Sequence, residues 1–119
     1  MKKELNFDEK FRELGDYYNI NSPVEIRQQL KKNENIFILL DEIKPILDES
    51  FKNAEYVLEM NFEPEMDDKF IVLRVDVSEE RFNNGIGDEI RNIEFKIWDL
   101  EKKLNVLREV LIMPGILNV

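Results

Sequence analysis

Residues 86–115 read IGDEIRNIEFKIWDLEKKLNVLREVLIMPG, and large aliphatic side chains recur through them at alternating four- and three-residue steps. The members of this seam are Ile86, Ile90, Ile93, Ile97, Leu100, Leu104, Leu107 and Leu111. A 3.5-residue period keeps one face of a helix against a single partner. Because Pro114 and Gly115 follow the seam, the pattern predicts a long C-terminal helix over about residues 88–112.

Further apolar side chains of this predicted helix lie away from the seam, at Phe95, Trp98, Val106 and Val110. A helix that is apolar on more than one face packs against more than one surface. We therefore expect these four residues to form an interface, either in a twofold homodimer or with an unidentified protein partner. The seam itself fits either an internal core or a subunit interface.

Two segments before this helix alternate between apolar and polar residues, as strands with one buried face do. They are AEYVLEMNF at about 54–62 and KFIVLRVDV at about 69–77. The segment EPEMDD at 63–68, with four carboxylates, connects them. This arrangement predicts an antiparallel β-hairpin whose buried face includes Leu58 and Leu73.

Three amphipathic segments precede the hairpin and predict N-terminal helices. The first covers about 7–18 after an N-cap at Asn6, and the second covers about 23–32 after Ser22. The third begins near Asn33, and Pro45 interrupts it, so we expect a kink or two abutting helices there. The fold class is therefore α+β, with N-terminal helices, one hairpin and a long C-terminal helix in a single domain, 1–119.

Residues 43–77 resemble a family of small uncharacterised prokaryotic proteins. The similarity lies in Ile43-Lys44-Pro45-Ile46-Leu47, in Ala54-Glu55-Tyr56-Val57-Leu58-Glu59, in the Glu63-Pro64-Glu65 turn and in Phe70-Ile71-Val72-Leu73. Those proteins follow a proline-containing helix with a strand, a Pro-Glu turn, a second strand and a long helix. The resemblance implies a helix–hairpin–helix order and brings no established activity.

The composition excludes several classes of function. The chain has no cysteine and no histidine, which removes thiolate sites, the commonest general base and the commonest transition-metal ligand. With 26 acidic and 17 basic residues its formal charge is −9, which disfavours contact with the phosphates of a nucleic acid. The longest apolar run, 36–40, is too short to span a membrane, and the N-terminus does not resemble a signal peptide. We expect a cytoplasmic protein that binds neither nucleic acid nor membrane.

Several polar clusters were weighed as sites and favour structural roles instead. The carboxylates at Glu63, Glu65, Asp67 and Asp68 lack the spacing of a calcium loop. Glu59 and Arg74 are expected to match charge across the two strands, and residues 85–88 to turn the chain into the helix rather than hold a phosphate. The sequence therefore predicts no catalytic, cofactor or metal site. Tyr17 and Tyr18 are candidates for either recognition or core packing.

These observations favour a non-enzymatic interaction or regulatory module that acts through an oligomer or a protein partner. The alternative is a small enzyme or ligand-binding domain that uses carboxylate, lysine or tyrosine side chains. A pocket with convergent ionisable groups of shifted pKa would favour the alternative. A flat apolar patch would favour the interaction module.

Overall fold

The computed structural model describes residues 2–63, 65 and 68–117, and their side chains except those of 2–6, 63 and 68. The helices are α1 (Lys2–Tyr17), α2 (Pro23–Lys32), α3 (Asn35–Glu42), α4 (Lys44–Ser50), α5 (Glu79–Phe82) and α6 (Ile86–Leu104). The strands are β1 (Asn19–Ile20), β2 (Glu55–Glu63), β3 (Asp68–Val77) and β4 (Val110–Ile116). They form one sheet in the order β1-β2-β3-β4, and the predicted α+β class is confirmed.

The predicted hairpin is β2 and β3, which pair antiparallel with Leu58 directly opposite Leu73. Both leucines are fully buried. Strand alternation turns them toward the helices, where they join one core cluster with side chains from the helices. The hairpin was predictable because a slip of one residue would exchange its apolar and polar faces.

The N-terminal half contains the four helices α1 to α4, and the break between α3 and α4 confirms the predicted effect of Pro45. The predicted start of the first helix is wrong, because α1 begins at Lys2 and Asn6 lies inside it. Lysine, glutamate and leucine before Asn6 are good helix formers, so the polar residue does not end the helix. The two-residue strand β1 was not predicted, and it pairs parallel with β2 at Val57 and Leu58.

The predicted C-terminal helix over 88–112 is wrong at its end, because α6 stops at Leu104. Asn105 follows in the left-handed region with φ 58°, a conformation common after the last residue of a helix. The backbone N–H of Val106 then donates to the carbonyl of Glu101 at 2.9 Å. Leu107 and Leu111 therefore lie outside the helix, although they continue its spacing.

Residues 110–116 form a fourth strand, β4, which pairs parallel with β3. Pro114 lies inside this strand and does not terminate a helix. The N–H of Ile71 donates to Glu109 at 3.0 Å, and the N–H of Leu117 donates to Val77 at 2.8 Å. In this register the odd-numbered residues of β4 bond to β3, so position 114 faces away from β3. A proline is tolerated there because no ladder bond needs its missing N–H.

The part of the seam that lies in α6 belongs to the internal core and not to a subunit interface. Ile86, Ile90, Ile93 and Ile97 are all buried, and α6 packs against α3, α4 and β4. Full burial stabilises each such side chain by roughly 1.5–3 kcal/mol. The helix thus connects β3 to β4 and closes the core of the subunit.

The sheet face opposite the helices, which we call the open face, contains Val57, Glu59, Val72, Arg74 and Asp76. The Arg74 guanidinium donates to both carboxylate oxygens of Asp76, at 2.7 and 3.1 Å, and to Glu59 at 3.0 Å. The Glu59–Arg74 pair forms on the diagonal, because Glu59 lies opposite Val72 and Arg74 opposite Val57. The hydrogen bonds with Asp76, together with its negative charge, raise the pKa of Arg74.

A first test compares the two faces of β2. Leu58→Ala should lower the free energy of unfolding by about 2–5 kcal/mol, because it leaves a cavity in the core. Glu59→Ala should cost under about 1 kcal/mol, because the Arg74 and Glu59 side chains of this ion pair are 35% and 32% exposed to solvent. Chemical denaturation of the two variants measures both values, and equal effects would contradict the register.

A second test concerns Gly115 in β4. A Cβ added there would lie 2.1 Å from the Asp76 Oδ1 atom and 2.8 Å from the Arg74 Cδ atom. Gly115→Ala should therefore lower the free energy of unfolding by about 1–3 kcal/mol. Gly87→Ala is the matched control, because a Cβ at Gly87 meets nothing within 4 Å. An equally mild effect at both positions, measured by chemical denaturation, would contradict the placement of β4.

Candidate protein-interaction surface

The structure divides the four residues of the predicted interface into two exposed and two buried ones. Phe95 is 74% exposed and Trp98 is 52% exposed, both on α6. Val106 is 0% exposed in the turn after α6, and Val110 is 7% exposed at the start of β4. The placement of both valines on a second face of the helix is wrong because the helix ends before them. The interface role of Phe95 and Trp98 stays a prediction.

Phe95 and Trp98 lie in a line of side chains along α6, which we call the α6 stripe. Its members are Arg91, Phe95, Trp98 and Lys102. Steps of four, three and four residues put them on one side of the helix, opposite the buried seam. All four are exposed. Sequence reasoning missed Arg91 and Lys102, although their spacing from the two aromatics could have indicated them.

The centre of the α6 stripe is apolar and its ends are cationic. Phe95 and Trp98, with Arg91 and Glu94, line a shallow hollow of about 300 Å³. Among the described side chains, neither Arg91 nor Lys102 has a carboxylate partner within 4.0 Å. An apolar centre with a charged rim is the usual anatomy of a protein interface.

The two aromatic side chains are the most costly part of this surface to leave in water. Burying each would gain roughly 1.5–3 kcal/mol, and neither is placed to contribute this to the subunit core. A single exposed apolar residue needs no explanation. Two adjacent aromatic side chains with an arginine beside them are different, because aromatic residues and arginine are among those that contribute most of the binding energy at interfaces. The α6 stripe therefore has the composition of a binding surface.

A cluster of three tyrosines lines a groove that bears on the alternative function. Tyr17, Tyr18 and Tyr56 face a cavity of about 510 Å³ whose wall also includes Asp16 and Glu55. Burial raises the pKa of each of the three phenols, and the hydrogen bond with Asp48 adds to the rise at Tyr17. The groups do converge, which was the sign expected of a catalytic or ligand-binding pocket.

The hydroxyls of these tyrosines are engaged in contacts that hold the fold together. Tyr17 donates to the Asp48 Oδ1 atom at 2.6 Å, Tyr18 to the Leu40 carbonyl at 2.6 Å and Tyr56 to the Leu47 carbonyl at 3.1 Å. These bonds tie α1 and the sheet to α3 and α4. A phenol is protonated near neutral pH even at its ordinary pKa, and a raised pKa moves it further from acting as a base.

The remaining candidates have structural placements or fall outside the described residues. Gly85 has φ 86° and immediately precedes α6, as expected of a turn into the helix. Most of the acidic turn at 63–68 lies outside the side chains that the structure describes. Across the described part of the chain, no three acidic residues are grouped so that they could hold a metal ion. Nor does that part contain a helix long and apolar enough to cross a membrane.

Comparisons with known proteins were made on the whole chain. No protein-family model matches it. Searches of curated proteins and of solved structures likewise find no match. The resemblance of residues 43–77 to a prokaryotic family therefore stays a prediction.

Proposed function

We propose that the protein is a non-enzymatic interaction module that binds a protein partner through the α6 stripe. The observation that carries the proposal is the exposure of Phe95, at 74%, beside Trp98, at 52%. A protein is favoured over a nucleic acid because the chain's charge of −9 repels phosphates. The proposal includes action in the cytoplasm, which fits a chain without cysteine.

The charges of α6 favour a different protein, rather than a second copy, as the occupant of the stripe. An antiparallel twofold that sets Phe95 against Trp98 of another copy also sets Arg91 against Lys102. The same alignment sets Glu94 against Asp99. Each of these contacts joins like charges, which disfavours the pairing. A partner of different sequence avoids this repulsion.

The chemistry of the stripe indicates what the partner offers. It needs an apolar pocket or groove for the rings of Phe95 and Trp98, since desolvated aromatics supply most of the binding energy. It also needs carboxylates placed for Arg91 and Lys102, which have no carboxylate partner within 4.0 Å among the described side chains. Such rim contacts act mainly on the rate of association and on its dependence on salt.

The tyrosine groove beside Asp16 and Glu55 favours the alternative of a small enzyme or ligand-binding domain. Each tyrosine hydroxyl already donates to an acceptor of the protein. The contacts of the groove therefore support a structural role better than a reaction, and no reaction is proposed there.

The test is capture from an extract of the native cell with three immobilised chains. The wild type and a Val24→Ser control should retain the same partner, and Phe95→Ser combined with Trp98→Ser should lose it. Val24 is a suitable control because it is 67% exposed on α2, a different helix. All three should unfold at similar temperatures, because the changes are on the surface. Retention of the same proteins by all three chains would contradict the proposal.

Trp98 also reports directly on the stripe, because it is the one tryptophan of the chain. Addition of the captured and purified partner should shift its fluorescence to shorter wavelength and reduce quenching by acrylamide. An unchanged spectrum at saturating partner would place binding elsewhere on the protein.

A further inference from the structure

We propose that two copies of this chain pair antiparallel along the outer edge of β4, so that the two sheets join into one continuous sheet. The proposal concerns β4 and uses none of the residues of the α6 stripe. It therefore stands or falls separately from the proposed function.

Several backbone groups of β4 point away from the rest of the sheet. This strand is last in the sheet order, and within the described chain β3 is its one strand partner. Ile71 bonds to Glu109 and lies opposite Val110. In this register the N–H and C=O groups of Val110 and Ile112 point away from β3. An edge of this kind is a template for pairing with another strand.

Exposed apolar side chains surround the same edge. Leu107, Leu111, Met113 and Ile116 are exposed by 39%, 42%, 44% and 47%. They are four of the nine large apolar side chains that are exposed in the described structure. Leu111, Met113 and Ile116 lie in β4 itself, whereas Phe62 in β2 is the one other large apolar side chain that is exposed among the described residues of the sheet. Leu111 and Met113 lie on the open face, because they are adjacent to Val72 and Arg74 of β3.

In one antiparallel register β4 complements a second copy of itself. A twofold axis at Leu111 sets Val110 opposite Ile112 of the second copy. The outward groups of these residues then form four hydrogen bonds, and none needs a donor from Pro114. An axis at Ile112 would instead set Val110 opposite Pro114 and leave the Val110 carbonyl without a donor. With the axis at Leu111, this residue lies opposite Leu111 of the second copy at a Cα separation of about 4.5 Å.

The charge of the segment around β4 also permits a second copy of this acidic chain at this place. Residues 104–117 contain only two charged side chains, Arg108 and Glu109, so the segment has no net charge. Two copies can therefore meet there without the repulsion expected of a protein with a charge of −9. Packing of one open face on another would bring together Glu55, Glu59 and Asp76 from both copies with only Arg74 to offset them in each, which disfavours that arrangement.

The test exchanges charges at the proposed axis. Sedimentation at micromolar concentration should show a dimer of the wild type. Leu111→Lys and Leu111→Glu should each raise the dimer dissociation constant on the order of tenfold or more. In each variant the two copies place like charges opposite each other at the axis, which disfavours the pairing. An equimolar mixture of the two variants should restore the dimer, because opposite charges then meet at the axis.

Each outcome of this experiment bears on the proposal. Leu111 is half exposed, so circular dichroism should show both variants folded. Phe95→Ser is the control and should leave the dimer intact. A monomeric wild type would overturn the proposal, as would Leu111 variants that remain dimeric. A mixture that stays monomeric would show that Leu111 does not face itself, and dissociation by Phe95→Ser would assign the dimer to α6.

Discussion

The parallel pairing of β4 with β3 is the contact on which the rest of this structure depends. Parallel neighbours need a crossover connection, because a short turn cannot bring the chain back to the same end of the sheet. Here α6 supplies the crossover, over about 28 Å of helix. Its seam is buried by α3, α4 and the sheet as a consequence, and its other side, with Phe95 and Trp98, is turned outward. The position of the exposed aromatics therefore follows from the position of β4.

The same pairing gives the sheet two faces with different properties. One face is covered by helices and is apolar throughout the core cluster. The open face is held by Arg74, which Asp76 and Glu59 orient through three hydrogen bonds. Gly115 leaves the space that Asp76 and Arg74 occupy above β4. Backbone pairing, side-chain pairing and the absence of a Cβ at Gly115 thus agree on one register.

Much of the fold could be predicted from local patterns. Alternation specified β2 and β3, because a shift of one residue would expose Leu58 and Leu73. The division of α3 from α4 followed from Pro45, which cannot continue a helix without loss of a bond. These elements depend on interactions within a few residues or between adjacent segments.

The end of α6 could not be predicted from the same patterns. Leu107 and Leu111 continue the helical spacing, and a short apolar run such as residues 110–113 fits a helix or a strand equally well. Pro114 indicates the end of a helix but also fits the outward position of an edge strand. The long-range pairing with β3 decided between them. The error carried over to the site, since Val106 and Val110 were expected beside Phe95 and Trp98.

Backbone NMR of residues 104–117 tests this account most directly. The chemical shifts should change from helical to extended values after Asn105, and residues 110–116 should be extended. Cross-strand nuclear Overhauser effects should connect Leu73 of β3 with Ile112 and Met113 of β4. Helical shifts that continue from Leu104 to Ile112, without contacts to β3, would contradict it.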